Sequence, residues 1–169
     1  MNNEENLIIV NEHDEIVGHK PRSQVYAEGL SNFRVINAFI RNSSGELWIP
    51  RRVLAKRIFP GCLDVGVGGH VEFGETYEAA FRRETLEEIR IDVAGVSWRA
   101  LGNLTPHGHG VSAFMTVYEI QHEAAPDYNP EDFIEAFWLS PRQVLERIAD
   151  GIPSKDDLPI LIRHFYLPR

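Results

Sequence analysis

Glu84, Glu87 and Glu88 stand at i, i+3 and i+4 in the run Arg83-Glu84-Thr85-Leu86-Glu87-Glu88-Ile89-Arg90-Ile91. On an α-helix that spacing sets three carboxylates on one face, about a turn apart. Like charges so close repel one another, and an isolated helix would avoid the arrangement. A bound divalent cation removes the conflict. An all-oxygen donor set suits a hard cation, and hard-metal sites commonly handle phosphate esters and anhydrides. Clustered charge more often marks a solvated helix face. Here Gly69, Glu75 and Arg83 precede the cluster at spacings that favour a working site.

These residues need a helix and something to set it against. Thr76 suits the N-cap of a helix running to about Ile89, though Ala79 three residues on leaves no reciprocal capping box. Ala79, Ala80, Leu86 and Ile89 offer a modest apolar back for packing on a sheet. Upstream, Leu63 to Val67 reads as a strand followed by Gly68-Gly69, a pair that suggests close backbone approach or a bend. Val35 to Ile40 is a longer apolar strand; Asn42-Ser43-Ser44-Gly45 turns the chain into Leu47 to Pro50 as its hairpin partner. Pro50 makes the end of that strand an edge or an exit. Leu7 to Val10 and Ile16 to Gly18 form a small hairpin within an N-terminal extension, residues 1–30. Val96 to Leu104, Val111 to Ile120 and Phe133 to Leu139 supply further strands. Ser140-Pro141 then opens a short helix over Gln143 to Ala149, and Asp157 to His164 makes a last one. Strands, hairpins and helices in this order predict an α/β protein, a mixed β-sheet between helical layers in an α/β/α sandwich.

The chain has 169 residues, about one domain, with 43% apolar and 25% charged residues. A net charge of −8 argues against nucleic acid or an anionic membrane surface as a partner. Cys62 is the single cysteine, so no internal disulfide is possible. Met1 to Glu5 lacks the basic and apolar character of a signal peptide, and no apolar run approaches the ~18 residues that span a bilayer. The expected location is cytoplasmic.

The stretch from residue 69 to residue 91 closely resembles the Nudix box, Gly-x5-Glu-x7-Arg-Glu-U-x-Glu-Glu-x-Gly-U, where U is a bulky aliphatic. Gly69, Glu75, Arg83, Glu84, Glu87, Glu88 and Ile91 match it. Thr85 replaces an aliphatic, and its hydroxyl is expected to bond a carbonyl one turn back. Arg90 replaces the final glycine, in the last helical turn, where a cation suits the helix dipole but the easy left-handed exit is lost. The resemblance implies a single Nudix domain over residues 1–169 that cleaves a pyrophosphate linkage with Mg2+ or Mn2+. Glu84, Glu87, Glu88 and the Gly69 carbonyl would hold the metal, and Arg83 would pair with Glu75 as an orienting residue. Further similarity, in Phe59-Pro60-Gly61 and Val65 to His70 among other runs, is to the branch related to isopentenyl-diphosphate isomerase. That isomerase uses a cysteine just before the Gly-His pair, where this chain has Gly68.

Beyond the box, Glu135 lies where relatives often place an auxiliary catalytic glutamate, with Glu131 a weaker candidate. Arg51 and Arg52 could grip substrate phosphate through guanidinium forks, or pair with surface acids. His107 and His109 flank Gly108 in a loop; His107 is a candidate for stacking on a base, as are Tyr128 and Phe133. His70 adjoins Gly69, and Cys62 reads as a small packed residue. The expected activity is hydrolysis of a nucleoside-diphosphate-type pyrophosphate, the partner a small phosphorylated molecule, with a nucleotide expected. An isomerase acting on isopentenyl diphosphate and a catalytically silent nucleotide sensor are the alternatives.

Overall fold

The computed structural model describes residues 3–167; Met1, Asn2, Pro168 and Arg169, at the ends of the expected domain, lie outside them. The chain opens with the expected hairpin, β1 (Asn6–Val10) antiparallel to β2 (Ile16–Pro21). Asn11 closes the turn by accepting from the amides of His13 and Glu15 at 2.9 and 3.0 Å. A short helix that the sequence pattern hides, α1 (Arg22–Ala27), follows directly and buries a single residue, Val25. One buried residue in six leaves no periodicity to read.

The main sheet contains β3 (Arg34–Arg41), β4 (Leu47–Arg52), β5 (Val67–His70), β6 (Trp98–Leu104), β7 (Phe114–Gln121) and β8 (Phe133–Leu139). Its order is β6-β7-β3-β4-β8, with β5 also on β3, and it is mixed: β3 and β7 run parallel from Arg34↔Phe114 to Arg41↔Gln121, while the other pairs are antiparallel. Along β3 the side chains alternate between two cores. Ile36, Ala38 and Ile40 meet Ala80, Phe81 and Ile89 of α2 (Tyr77–Ile89) on one face. Phe39 meets Val144 of α4 (Pro141–Ala149) and Leu158, Leu161 and Ile162 of α5 (Asp157–Tyr166) on the other. Between β6 and β7 lies one helical turn, α3 (Pro106–His109). A sheet apolar on both faces needs helices on both, which is the layered α/β arrangement expected.

Several local expectations need correction. The β3–β4 hairpin closes through one pair, Arg41↔Leu47, and then splays; the main partner of β4 is β8. Pro50 sits beyond the splay, where a missing amide donor costs β3 nothing. The strand expected at residues 63–67 begins instead at Val67, and Gly68 and Gly69 lie inside it, opposite Asn37 and Ile36. The inward face of α2 is Ala80, Phe81, Glu84, Thr85 and Ile89; Ala79 and Leu86 are exposed. Phe81 sets this rotation by stacking on Tyr118 with ring centroids 4.1 Å apart. Thr85 is fully buried with no hydrogen-bond partner for its hydroxyl, contrary to the carbonyl bond expected. Arg90 is the C-cap itself, in the left-handed region at φ 56°, so the left-handed exit expected to be lost is made without a glycine. The N-caps at Thr76 and Ser140 form as read, and Ser140 adds a capping box with Gln143.

Candidate active site

The strand β5 and the helix α2 approach so closely that a side chain at residue 69 would overlap the Glu84 carboxyl. A Cβ built on Gly69 would lie 2.2 Å from Glu84 Cδ. The glycine is therefore needed for space, and it lets an acid turn inward on a helix face that would otherwise be apolar.

Arg83 organises the acids around this contact. Its Nε and Nη2 donate to the two oxygens of Glu75 at 2.7 and 2.9 Å, a fork on a carboxylate. Nη2 also donates to the His70 carbonyl at 3.1 Å, and Nη1 to Glu84 at 2.6 Å. Glu87, with its side chain 60% exposed, lies 3.5 Å from the same Nη1. Burial pushes the Glu75 carboxyl up, but the Arg83 fork and the Glu72 amide hold it below its ordinary value. The balance reverses at Glu84, where burial outweighs Arg83 and the pKa rises to about 7. Glu88 is pushed well up by burial first, then by the neighbouring charges of Glu84 and Asp64. The contact to its carboxylate is the Gly68 amide, donating at 3.3 Å, and among the described residues it has no ion-pair partner.

A divalent cation fits this donor set in its chemistry. Glu88 is a half-buried oxygen donor raised by the neighbouring acids Glu84, Asp64 and Asp132, and among the described residues it forms no ion pair. Among the described residues no three His, Cys, Asp or Glu side chains converge in ligand geometry. Arg83 accounts for that, because its guanidinium draws Glu84 and Glu87 towards itself.

The remaining candidates separate. Arg52 Nη1 donates at 3.0 Å to the buried Asp64, one of the acids whose charge raises Glu88. Arg51 instead donates to Glu135 at 3.1 Å and to the Gly61 carbonyl at 2.9 Å. Arg51 and Glu135 are cross-strand partners in the β4–β8 ladder, so each occupies the other. His107 lines a groove of about 530 Å3 with Asn11, Asn32 and Phe114, and none of the box glutamates lines it. His109 accepts the Thr105 amide at 3.0 Å, a bond local to α3. Tyr128, half-buried, and Phe133, buried, pack around Trp48. Glu131 donates its amide to Asn129 and closes a turn. Cys62 is buried, and burial raises its thiol pKa.

Sequence reasoning missed Asp64, Lys155, Tyr26 and Glu5. Asp64 is buried and carries Arg52 and Lys155, the latter at 3.6 Å. Its signal was an acid in the apolar run Leu63-Asp64-Val65. His70 is held from both sides by the N-terminal extension: Tyr26 bonds its Nε2 at 2.9 Å and Glu5 lies 3.3 Å from Nδ1. The His70 bond holds Glu5 below its ordinary pKa against burial, with Arg22 and Arg83 adding to it.

A family model described as NUDIX domain matches residues 32–158, beginning just after α1. The chain is 55% identical to the uncharacterized Nudix hydrolase all7351 of Nostoc sp., over 95% of both chains. It is 48% identical to a Nudix hydrolase of Deinococcus radiodurans, covering 96% of this chain and 95% of that one. The crystal structure of DR0079 from that organism superposes with a TM-score of 0.91 over 96% of this chain and 99% of that one. An isopentenyl-diphosphate Delta-isomerase of Enterobacter sp. is similar at 24% identity over 88% of this chain and 83% of that one. The protein belongs to the Nudix family, whose hydrolases cleave pyrophosphate bonds and generally use divalent metal ions.

Proposed function

We propose that the protein is a Mg2+- or Mn2+-dependent pyrophosphohydrolase acting on a nucleoside-diphosphate-type substrate. The observation that carries this reading is the placement of Glu84 and Glu88 against the glycines of β5, with no ion-pair partner for Glu88 among the described residues. Glu84, Glu87, Glu88 and the Gly69 carbonyl would hold the metal, which when bound neutralises phosphate oxygens and acidifies water. Arg83 is a positioning residue. Its fork on Glu75 fixes the loop before α2, and its bond to the His70 carbonyl fixes the backbone beside Gly69. Water adds to one phosphorus as the bridging oxygen–phosphorus bond breaks, giving two phosphates and a proton. Arg52 is the arginine suited to substrate, because it adjoins the acids through Asp64; Arg51, Glu135 and His107 have no such connection.

The isomerase reading is disfavoured by residue 68. A Cβ there would lie 3.2 Å from Asn37 Oδ1, so a cysteine would crowd the strand, and Cys62 is buried elsewhere. The reading is tested by phosphate or nucleotide release from a panel of nucleoside di- and triphosphates, dinucleoside polyphosphates and nucleotide sugars. Metal-dependent cleavage of at least one supports it. Nucleotide binding without turnover supports the silent sensor instead, and proton exchange on isopentenyl diphosphate the isomerase.

A further inference from the structure

A second charged group centres on Asp64, next in the chain to Val65, whose Cγ2 would lie 3.7 Å from a Cβ at Gly68, the residue whose amide donates to Glu88. Asp64 is buried, its Oδ1 accepts the Val65 amide at 2.7 Å, and both Arg52 and Lys155 face it. Arg52 and Lys155 thus share this one carboxylate as their ion-pair partner.

The two cations are held differently. Arg52 is fastened on both sides, donating to Asp64 and, through Nε and Nη2, to the Ile58 carbonyl at 3.2 and 3.0 Å. Lys155 Nζ stands 3.6 Å from Asp64, and its three donors make no hydrogen bond among the described residues. Its side chain is 28% exposed. Main-chain bonds nevertheless fix where it stands. The connector between α4 and α5 is stitched to residue 63 by Leu63 N to Pro153 O at 2.8 Å and Lys155 N to Leu63 O at 2.9 Å, with Ser154 bridged to Leu63.

We propose that Lys155, backed by Arg52, forms an anion subsite beside the glutamates that takes the terminal phosphate of a nucleoside di- or triphosphate. The enzyme would then favour substrates with a free phosphate end over those esterified at both ends. The inference rests on the pyrophosphohydrolase reading above. A terminal phosphate carries about −1.5 to −2 at pH 7 and presents three acceptor oxygens. A phosphate esterified on both sides carries one charge and two such oxygens. The guanidinium of Arg52 and the ammonium of Lys155, both facing Asp64, would distinguish them. An ammonium with three free donors suits a compact phosphate end.

The test compares kcat/KM, with Mg2+, for uridine and adenosine diphosphates against UDP-glucose and ADP-ribose. The unmodified protein prefers the diphosphates. In Lys155→Gln the ratio of diphosphate to sugar-nucleotide kcat/KM falls about tenfold, the loss sitting in KM for the diphosphate, while Lys155→Arg retains most of it. A ratio unchanged in Lys155→Gln, or a proportionate fall on all four substrates, overturns the subsite and leaves the hydrolase reading standing. Absence of metal-dependent cleavage of any of the four by the unmodified protein overturns that reading for these substrates and the subsite with it.

Discussion

Burial raises Glu84 from an ordinary 4.5 to about 7, even with the Arg83 guanidinium 2.6 Å away. An acid that holds its proton more tightly when folded weakens the fold as it ionises. Between pH 4.5 and 7 the folded chain binds more protons than the unfolded one, so stability falls as pH rises through that window. For Glu84 alone the loss is about 3 kcal/mol, and Glu88 acts in the same direction. Chemical denaturation of chelator-treated protein should show this decline, and Glu84→Gln should flatten it. Thr85 is a second residue-scale test. Its hydroxyl is buried without a partner, so Thr85→Val should stabilise the protein by about 1 kcal/mol in urea denaturation with an unchanged m value. The glutamates were legible because helical spacing turns three sequence positions into one face. The unsatisfied hydroxyl was not, since only the packing of Phe81 on Tyr118 decides which way that face points.

Elements whose boundaries are written in capping and turn chemistry were read well. Thr76, Ser140-Pro141 and Asn11 each mark an end that the structure keeps. Elements set by pairing were read less well. Nothing local to Leu47–Arg52 says that its partner is β8 some 80 residues later; Gly68-Gly69 reads as close backbone approach or a bend after a strand, and the approach is there, but inside β5. Their place inside β5 follows from α2 coming close enough to need the missing Cβ. At the far end of α2, Arg90 holds a left-handed conformation that costs a non-glycine residue about 1–2 kcal/mol. Its ion pair with Asp127 is exposed and returns little. Arg90→Gly should therefore stabilise the fold by about 0.5–1 kcal/mol in thermal or urea unfolding, after the greater freedom of unfolded glycine is subtracted.

Across the whole molecule, the site collects segments far apart in the chain. Glu5 and Tyr26 reach His70 from the N-terminal extension, and Lys155 arrives on the α4–α5 connector. No spacing rule links residues 26, 64 and 155, so these contacts could not be read before the sheet was assembled, whereas the box could. On the proposed reading, cations held by the acids of α2 would offset the net charge of −8 that opposes an anionic substrate. The most direct measurement is Mg2+-dependent cleavage of a nucleotide panel by the unmodified protein, Glu87→Gln and Glu88→Gln, with melting temperatures taken alongside. Loss of nearly all metal-dependent turnover in both variants, with folding intact, is the predicted result. Turnover in both at the level of the unmodified protein would contradict it.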